Sequence, residues 1–421
     1  MGCVLKQSCL LVTVVCFLLN EVNASSITLE QVLTSSMEEV YTPRPNLYNR
    51  VKSRITGRVT PVMFGARGDG IADDTAPIQY AINYAAKHHI SEVRIPAGTY
   101  NINITGHNSV GKILSIDGEP HYFDMIGAGI MAKSGVDIIL DKEAILQAIP
   151  SDLAEYAVVY IGEQENVILE GGTIIGDLDK HLGTTGQQGM CVWIQSSSNI
   201  TIKNCDISKG WGDCIDVGCK WDNDIPYGSN RSRNVTIKNC KLHHSRRQGI
   251  SAVGCEGLLV KDCEIYNIEG DAPQAGIDLE VNFKDYPNRN CLFEGLDIHD
   301  CKGGGIIGYT TPTSNVEIRK SNIQSIHLSC VDGIKVLNST VGYATFDNYY
   351  HVPNDTVSIT GCTIKSITLY SASAYNLMID GCVVGNDENQ PTIAFVKRPN
   401  NENLNEVVDI SVNNSTLSAT L

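Results

Sequence analysis

The sequence predicts an all-β fold: a single-stranded right-handed parallel β-helix, a solenoid closed at its start by an N-terminal capping helix. Three features point there. A short phrase of alternating apolar residues recurs from residue 166 onward, no long helical pattern separates its copies, and one amphipathic helix precedes the first copy.

In chain order, residues 1–24 read as an export signal. Lys6 supplies the positive end, Cys9 to Leu19 an apolar stretch, and Val22-Asn23-Ala24 the small residues of a cleavage site. The stretch is too short to span a bilayer, and Val14 and Val15 before Cys16 argue against a lipid-modified cysteine. Residues 25–58 read as a leader and residues 59–421 as the β-helix domain.

Within the first part of that domain, Asp74 or Thr75 is placed to cap a helix whose apolar face is Ile78, Ala81, Ile82 and Ala85. A short strand, Val93 to Ile95, follows. An open solenoid end needs a polar-faced cap, and this helix supplies it. Asp69, Asp73 and Asp74 fit the preceding turn and the cap better than a calcium loop.

The repeat then begins. It reads NVILEGGTI from Asn166, NITIKNCDI from Asn199, NVTIKNCKL from Asn234 and GLLVKDCEI from Gly257, and continues to DISVNNSTL from Asp409. Alternation with period two means strands, and in the copy from Asn199 residues Ile200 and Ile202 face inward before Asn204 turns the chain. Cys205, Cys240, Cys263, Cys362 and Cys382 share one register position. They are expected as buried free thiols rather than disulfides, because side-by-side parallel strands aim such side chains poorly for a bond. Asn-x-Ser/Thr sequons at several repeat asparagines fit turn ladders as well as glycan acceptors.

Composition narrows the function. Formal net charge is -15, which argues against nucleic acid and against an anionic membrane as partners. The chain is 42% hydrophobic but 6% aromatic, so its core must be aliphatic. His243-His244 and His88-His89 have no further ligand in view, so no metal site is expected. A monomer is the default, with a homotrimer as the alternative.

The segment FGARGDGIADDTAPIQYAI followed by VRIPAGTY resembles the N-terminal signature of the pectate-lyase-like superfamily. That superfamily includes polygalacturonase-related hydrolases (glycoside hydrolase family 28-like), rhamnogalacturonases, tailspike depolymerases and alginate epimerases. The resemblance implies the β-helix and action on a polysaccharide, but several chemistries share the scaffold.

Aligning the last strand of each coil on Val192, Ile215, Ile250, Ile277 and Ile306 puts the following residue on the outer face. That column reads Trp193, Asp216, Ser251, Asp278, Ile307, and two positions later Gln195, Gly218, Val253, Glu280, Tyr309. Asp213, Asp216, Asp278 and Glu280 are therefore the expected catalytic residues, with Asp278 and Glu280 on one strand. Trp193, Arg246, Arg247, Gln248 and Tyr309 are the expected substrate contacts. Insertions at 175–189, 219–233 and 281–289 are placed to wall the sheet into a groove. GDCID is similar to the paired-aspartate motif of polygalacturonases, which implies catalytic roles for Asp213 and Asp216. RRQG stands where those enzymes carry Gly-His-Gly, so the family histidine is absent and orthodox polygalacturonan hydrolysis is not expected.

Two carboxyl groups, one protonated and one ionised, suit hydrolysis of a glycosidic bond. The first expectation is a secreted glycoside hydrolase acting on an extracellular polysaccharide without a cofactor. The second is a polysaccharide lyase or C5-epimerase using Ca²⁺ held by the carboxylates and an arginine base. The third is a β-helix that binds glycan without cleaving it.

Overall fold

The computed structural model describes residues 45–105, 127–219, 231–280, 287–308, 313–329, 331–347, 355–371, 375–385, 392–397 and 408–418. The proposed signal, Tyr309 and Cys330 lie outside the described residues, and Pro45–Leu421 forms one compact unit.

Each coil contributes one strand to a 13-stranded parallel sheet, counted among the described residues, and further strands to the other sides. An inward ladder runs through that sheet without a break. It passes from Val59 through Val93, Ile138, Leu169, Ile202, Ile237, Val260, Phe293, Ile318, Val336, Ile359 and Ile379 to Val412. From Val59 to Ile379 these side chains are buried. Burial of an aliphatic side chain of this size stabilises by about 1.5–3 kcal/mol, so the repeat is the fold's main source of stability.

The coil corners explain the asparagines. Asn166, Asn199, Asn234, Asn290 and Asn315 all adopt positive φ, a region that asparagine enters more readily than most L-residues. Their amides also stack: Asn199 Nδ2 donates to Asn166 Oδ1 at 3.1 Å, and Asn234 Nδ2 to Asn199 Oδ1 at 3.2 Å. At the equivalent corner of the next coil Gly257 takes the same conformation without a side chain. A second row of corners, Asn204, Asn239, Asp262 and Asn338 among them, does the same at the other end of the sheet.

All eleven described cysteines are free and buried. The ladder thiols do more than fill space. Cys205, Cys240 and Cys263 each donate to the carbonyl two residues back, at 3.2–3.3 Å. Ser321 and Ser339, at the same position in later coils, make the same bond at 2.8 and 2.9 Å.

The cap is the helix Thr75–Lys87, with Ile78, Ala81, Ile82 and Ala85 buried as the periodicity predicts. Asp74 occupies the N-cap position but makes no capping bond. Its carboxylate instead accepts the N–H groups of Arg67 at 2.7 Å and Gly68 at 3.0 Å, tying down the glycine-rich turn. Asp69 likewise accepts from Ile71 and Ala72, both at 2.9 Å, so these carboxylates serve the turn. A further helix, Leu47–Thr56, lies in the segment read as leader, directly before the first rung at Arg58–Val59.

Candidate active site

The outer column is in the expected register. Trp193 pairs with Asp216, Asp216 with Ser251, Ser251 with Asp278 and Asp278 with Ile307. Strict alternation would send Asp213 and Asp216, three residues apart, to opposite faces. They share one because Cys214 and Ile215, adjacent in the chain, both face the core. The strand bends between them, and Asp213 reaches Ser251 on the outer side.

The strand Ala275–Asp278 ends before Glu280, which corrects the expectation that Asp278 and Glu280 share a strand. Glu280 nonetheless joins the cluster from the segment that follows. Arg247 draws the group together: Nη2 meets Glu280 Oε2 at 2.8 Å and Nη1 meets Asp213 Oδ2 at 3.4 Å. Ser251 Oγ donates to Asp213 Oδ2 at 2.7 Å. Gln248 Nε2 donates to Asp278 Oδ2 at 2.8 Å, and its own Oε1 accepts the Ala275 N–H at 2.9 Å. Anchored at that end, the amide of Gln248 has one orientation.

The cluster is deeper than an open groove. Asp213, Asp216 and Asp278 are 0%, 6% and 4% exposed, while the Glu280 side chain keeps 23%. Burial therefore dominates their protonation. It pushes Asp213 up to about 6, held from rising further by Arg247 and by the Ser251 hydroxyl. Burial raises Asp216 well above the carboxylate range, and the charges of Asp213 and Glu280 add to it. Asp278 is raised in the same way, by burial first and the Glu280 charge second. Burial works against the Arg247 cation, but Asp213 and Glu280 outweigh it and favour the charged form. Three buried polar atoms of the site close no hydrogen bond of ordinary geometry: Asp213 Oδ1, Arg247 Nε and Trp193 Nε1. The last faces Asp216 closely enough to favour its charged form slightly.

The expected substrate contacts are placed unequally. Trp193 is buried edge-on against Tyr160, ring centroids 6.4 Å apart, within a small apolar cluster with Ala128, Ala157 and Met190. No face of its ring is open to a sugar in this arrangement. Gln248 is fully buried behind Asp278. Arg246 turns away from the carboxylates; its guanidinium lies 3.9 Å from the Trp211 ring centre and binds Gly186 O, Trp211 O and Asp271.

That contact reveals residues the sequence reading missed. Trp211 stacks on His181 at 3.9 Å and its indole N–H donates to Thr185 O at 3.1 Å. His181 Nδ1 meets Asp177 Oδ2 at 3.0 Å, and Asp177 Oδ1 accepts the Tyr156 hydroxyl at 2.6 Å. The chain Tyr156–Asp177–His181–Trp211–Arg246 fastens residues 176–187, within the first of the expected walls, beside the carboxylates. Residues 220–230 and 281–286 of the other two walls lie outside the described residues. Glu155 was also missed; burial raises its carboxyl to about 7, and Oε2 has no hydrogen-bond partner. Trp211 stands two residues before Asp213 and could have been read from that position, whereas Asp177, His181 and Glu155 carry no spacing signal.

The four carboxylates do not form a metal-sized group as arranged. Among the described residues, ligand atoms of three residues come within 4.8 Å of one another at Glu264, Asp297 and His299, on another face.

Comparison with known proteins agrees with this architecture. Two curated proteins of Bacillus subtilis (strain 168) align with about half the chain. The SPbeta prophage-derived uncharacterized protein YorA is 34% identical over 55% of this chain and 39% of its own length. The uncharacterized protein YclG is 31% identical over 52% and 37%. The chain thus matches under two fifths of the length of these relatives. Among solved structures, the A-module of Azotobacter vinelandii mannuronan C-5 epimerase AlgE6 superposes with TM-score 0.57 at 14% identity, over 85% of this chain and 99% of that one. A mutant tailspike protein of E. coli bacteriophage HK620 in complex with a pentasaccharide gives TM-score 0.60 at 12% identity, over 88% and 68%. Likeness at these identities shows the fold. The family described as the right handed beta helix region matches residues 159–348 and 227–391, together more than half the sequence, and the chain belongs to that family.

Proposed function

We propose that this protein is a secreted carbohydrate-active enzyme that hydrolyses glycosidic bonds of an extracellular polysaccharide. The observation that carries the reading is the pairing of unlike carboxyl groups on one outer strip. Burial and neighbouring charge raise the carboxyls of Asp216 and Asp278 well above the ordinary carboxylate value and favour their protonated forms, while Glu280 is ion-paired to Arg247 and reaches the surface. Hydrolysis needs that inequality: a protonated carboxyl to give its proton to the leaving oxygen, and a carboxylate to take a proton from the attacking water. Asp216 suits the acid and Glu280 the base. The hydroxide left by water then bonds to the anomeric carbon as the glycosidic bond breaks. Asp278, with its Oδ2 held by Gln248, is placed to hydrogen-bond the sugar, and Asp213 to position Arg247. Asp216 and Asp278 stand two rungs apart, about 9–10 Å at the backbone, and Glu280, two residues beyond Asp278, reaches back to Arg247, which suits the roughly 6.5–9.5 Å separation of inverting enzymes. The bound pentasaccharide of the HK620 tailspike supports a glycan as ligand of this scaffold.

The epimerase or lyase reading keeps one argument, because the AlgE6 epimerase module aligns over nearly all its length. One experiment separates the readings. The mature protein is incubated with a panel of neutral and uronate polysaccharides, with and without EDTA, following reducing ends, absorbance at 235 nm and proton NMR of the polymer. New reducing ends without absorbance, unaffected by EDTA, support hydrolysis. Unsaturated product, or C5 inversion seen by NMR, replaces it with lyase or epimerase chemistry. Binding without turnover that survives Asp216→Asn leaves a glycan-binding β-helix.

A further inference from the structure

Away from the carboxylates, on the short strands Glu264–Tyr266 and Asp297–His299, a second constellation stands on the outer face. Parallel pairing sets Glu264 beside Asp297 and Tyr266 beside His299. One carboxylate oxygen each from Glu264 and Asp297 and one ring nitrogen of His299 come within 4.8 Å of one another. Glu264 Oε1 lies 3.8 Å from His299 Nε2.

The His299 ring is held in place from two sides. It stacks on Tyr266 with centroids 5.4 Å apart and planes 6° from parallel, and Tyr266 stacks in turn on His243. Its Nδ1 meets Asp300 Oδ2 at 2.7 Å. With Nδ1 donating to that carboxylate, the Nε2 lone pair is left on the side of Glu264 for an ion, an arrangement typical of metal-binding histidines. His299 and Asp300 also line a surface depression of about 620 Å³, with Asn267, Glu269 and Lys302, so further coordination positions would open onto space.

We propose that Glu264, Asp297 and His299 bind a first-row divalent transition ion such as Zn²⁺. One imidazole and two carboxylates suit such an ion, whereas Ca²⁺ takes oxygen ligands alone. The site is independent of the hydrolase reading and bridges two successive coils. Its competitor is Lys241, whose Nζ lies 2.8 Å from the other oxygen of Glu264.

The test is calorimetric titration of untagged, chelator-treated full-length protein with Zn²⁺, and separately with Ca²⁺. One saturable Zn²⁺ equivalent is expected, weakened at least about tenfold by His299→Ala and about tenfold by Asp300→Asn. Lys241→Met is expected to tighten it several-fold, a gain that misfolding cannot imitate. Absence of saturable Zn²⁺ binding would overturn the proposal. So would binding unchanged by His299→Ala but lost in His243→Ala, or Ca²⁺ binding as tight as Zn²⁺.

Discussion

The two faces of the same five strands obey different rules. On the inner face Val192, Ile215, Ile250, Ile277 and Ile306 form one aliphatic ladder, each rung almost a copy of the last. One residue further along, the outer face reads Trp193, Asp216, Ser251, Asp278 and Ile307, with no two neighbours alike. Stacking requires sameness only where side chains must interlock in the core. The outer position is free to vary, and buried carboxylates beside an arginine are the kind of departure that functional sites concentrate. It also opposes folding, because three carboxyl groups lose their water.

The largest expected effect breaks the outer face alone. Asp216→Asn should lower turnover of a responsive polysaccharide by on the order of 10²–10⁴-fold, the usual weight of a general acid. The same change should leave stability unaltered or raise it, since a neutral amide costs less to bury than a carboxyl beside other charges. Loss of activity together with a lower unfolding midpoint would place Asp216 in the scaffold instead. The matching break on the inner face is Ile250→Ala. There a cost of about 2–5 kcal/mol in chemical denaturation is expected, with activity of the remaining folded protein largely kept.

A pH titration of stability sharpens the same contrast. Asp213, pushed up to about 6, and Asp216 and Asp278, raised well above the ordinary carboxylate value, keep protons in the folded chain that the unfolded chain has released. The folded state then binds more protons, so stability falls as pH rises. The fall should begin near the ordinary carboxylate value and run through about pH 6 for Asp213, with Asp216 and Asp278 adding to it. Denaturation midpoints should accordingly be higher at pH 5 than at pH 8, and Asp216→Asn should flatten the slope. A slope of opposite sign would mean that these carboxyls are ionised and well solvated in the folded state.

Much of this was legible from residues alone, and the reason is the repeat. Once Val192, Ile215 and Ile250 are recognised as one inward position, parallel pairing fixes every neighbour, so Asp216, Ser251 and Asp278 fall into line without coordinates. The bend was not legible. Nothing in Cys214-Ile215 announces that both face inward, and Asp213 shares the outer face for that reason alone. Depth was equally hidden: alternation says that Asp216 and Trp193 point outward, but not that neighbouring residues cover them. The Tyr156–Asp177–His181 link to Trp211 lay beyond reach because it joins a turn of one coil to turns of others through side chains that follow no period.

The smallest expected effect tests how strict the inner face is. Cys240 is one of the buried thiols of the ladder, yet its Sγ donates to Lys238 O at 3.3 Å, and serines occupy the same position as Ser321 and Ser339 with the same bond. If the hydrogen bond matters, Cys240→Ser should stay within about 1 kcal/mol of the parent, because it keeps the donor. Cys240→Val should then fall below Cys240→Ser by a similar amount, despite being the more apolar side chain. The Lys238 carbonyl also accepts the Asn204 N–H at 3.1 Å, so valine would remove one of two bonds and the difference should be small. The order of the two variants in urea denaturation is therefore the readout. Valine above serine would make the thiol ladder a matter of volume. Serine above valine would mean that each coil turns on a side-chain bond to its own backbone, and that the repeat selects a donor at this position rather than a hydrophobe.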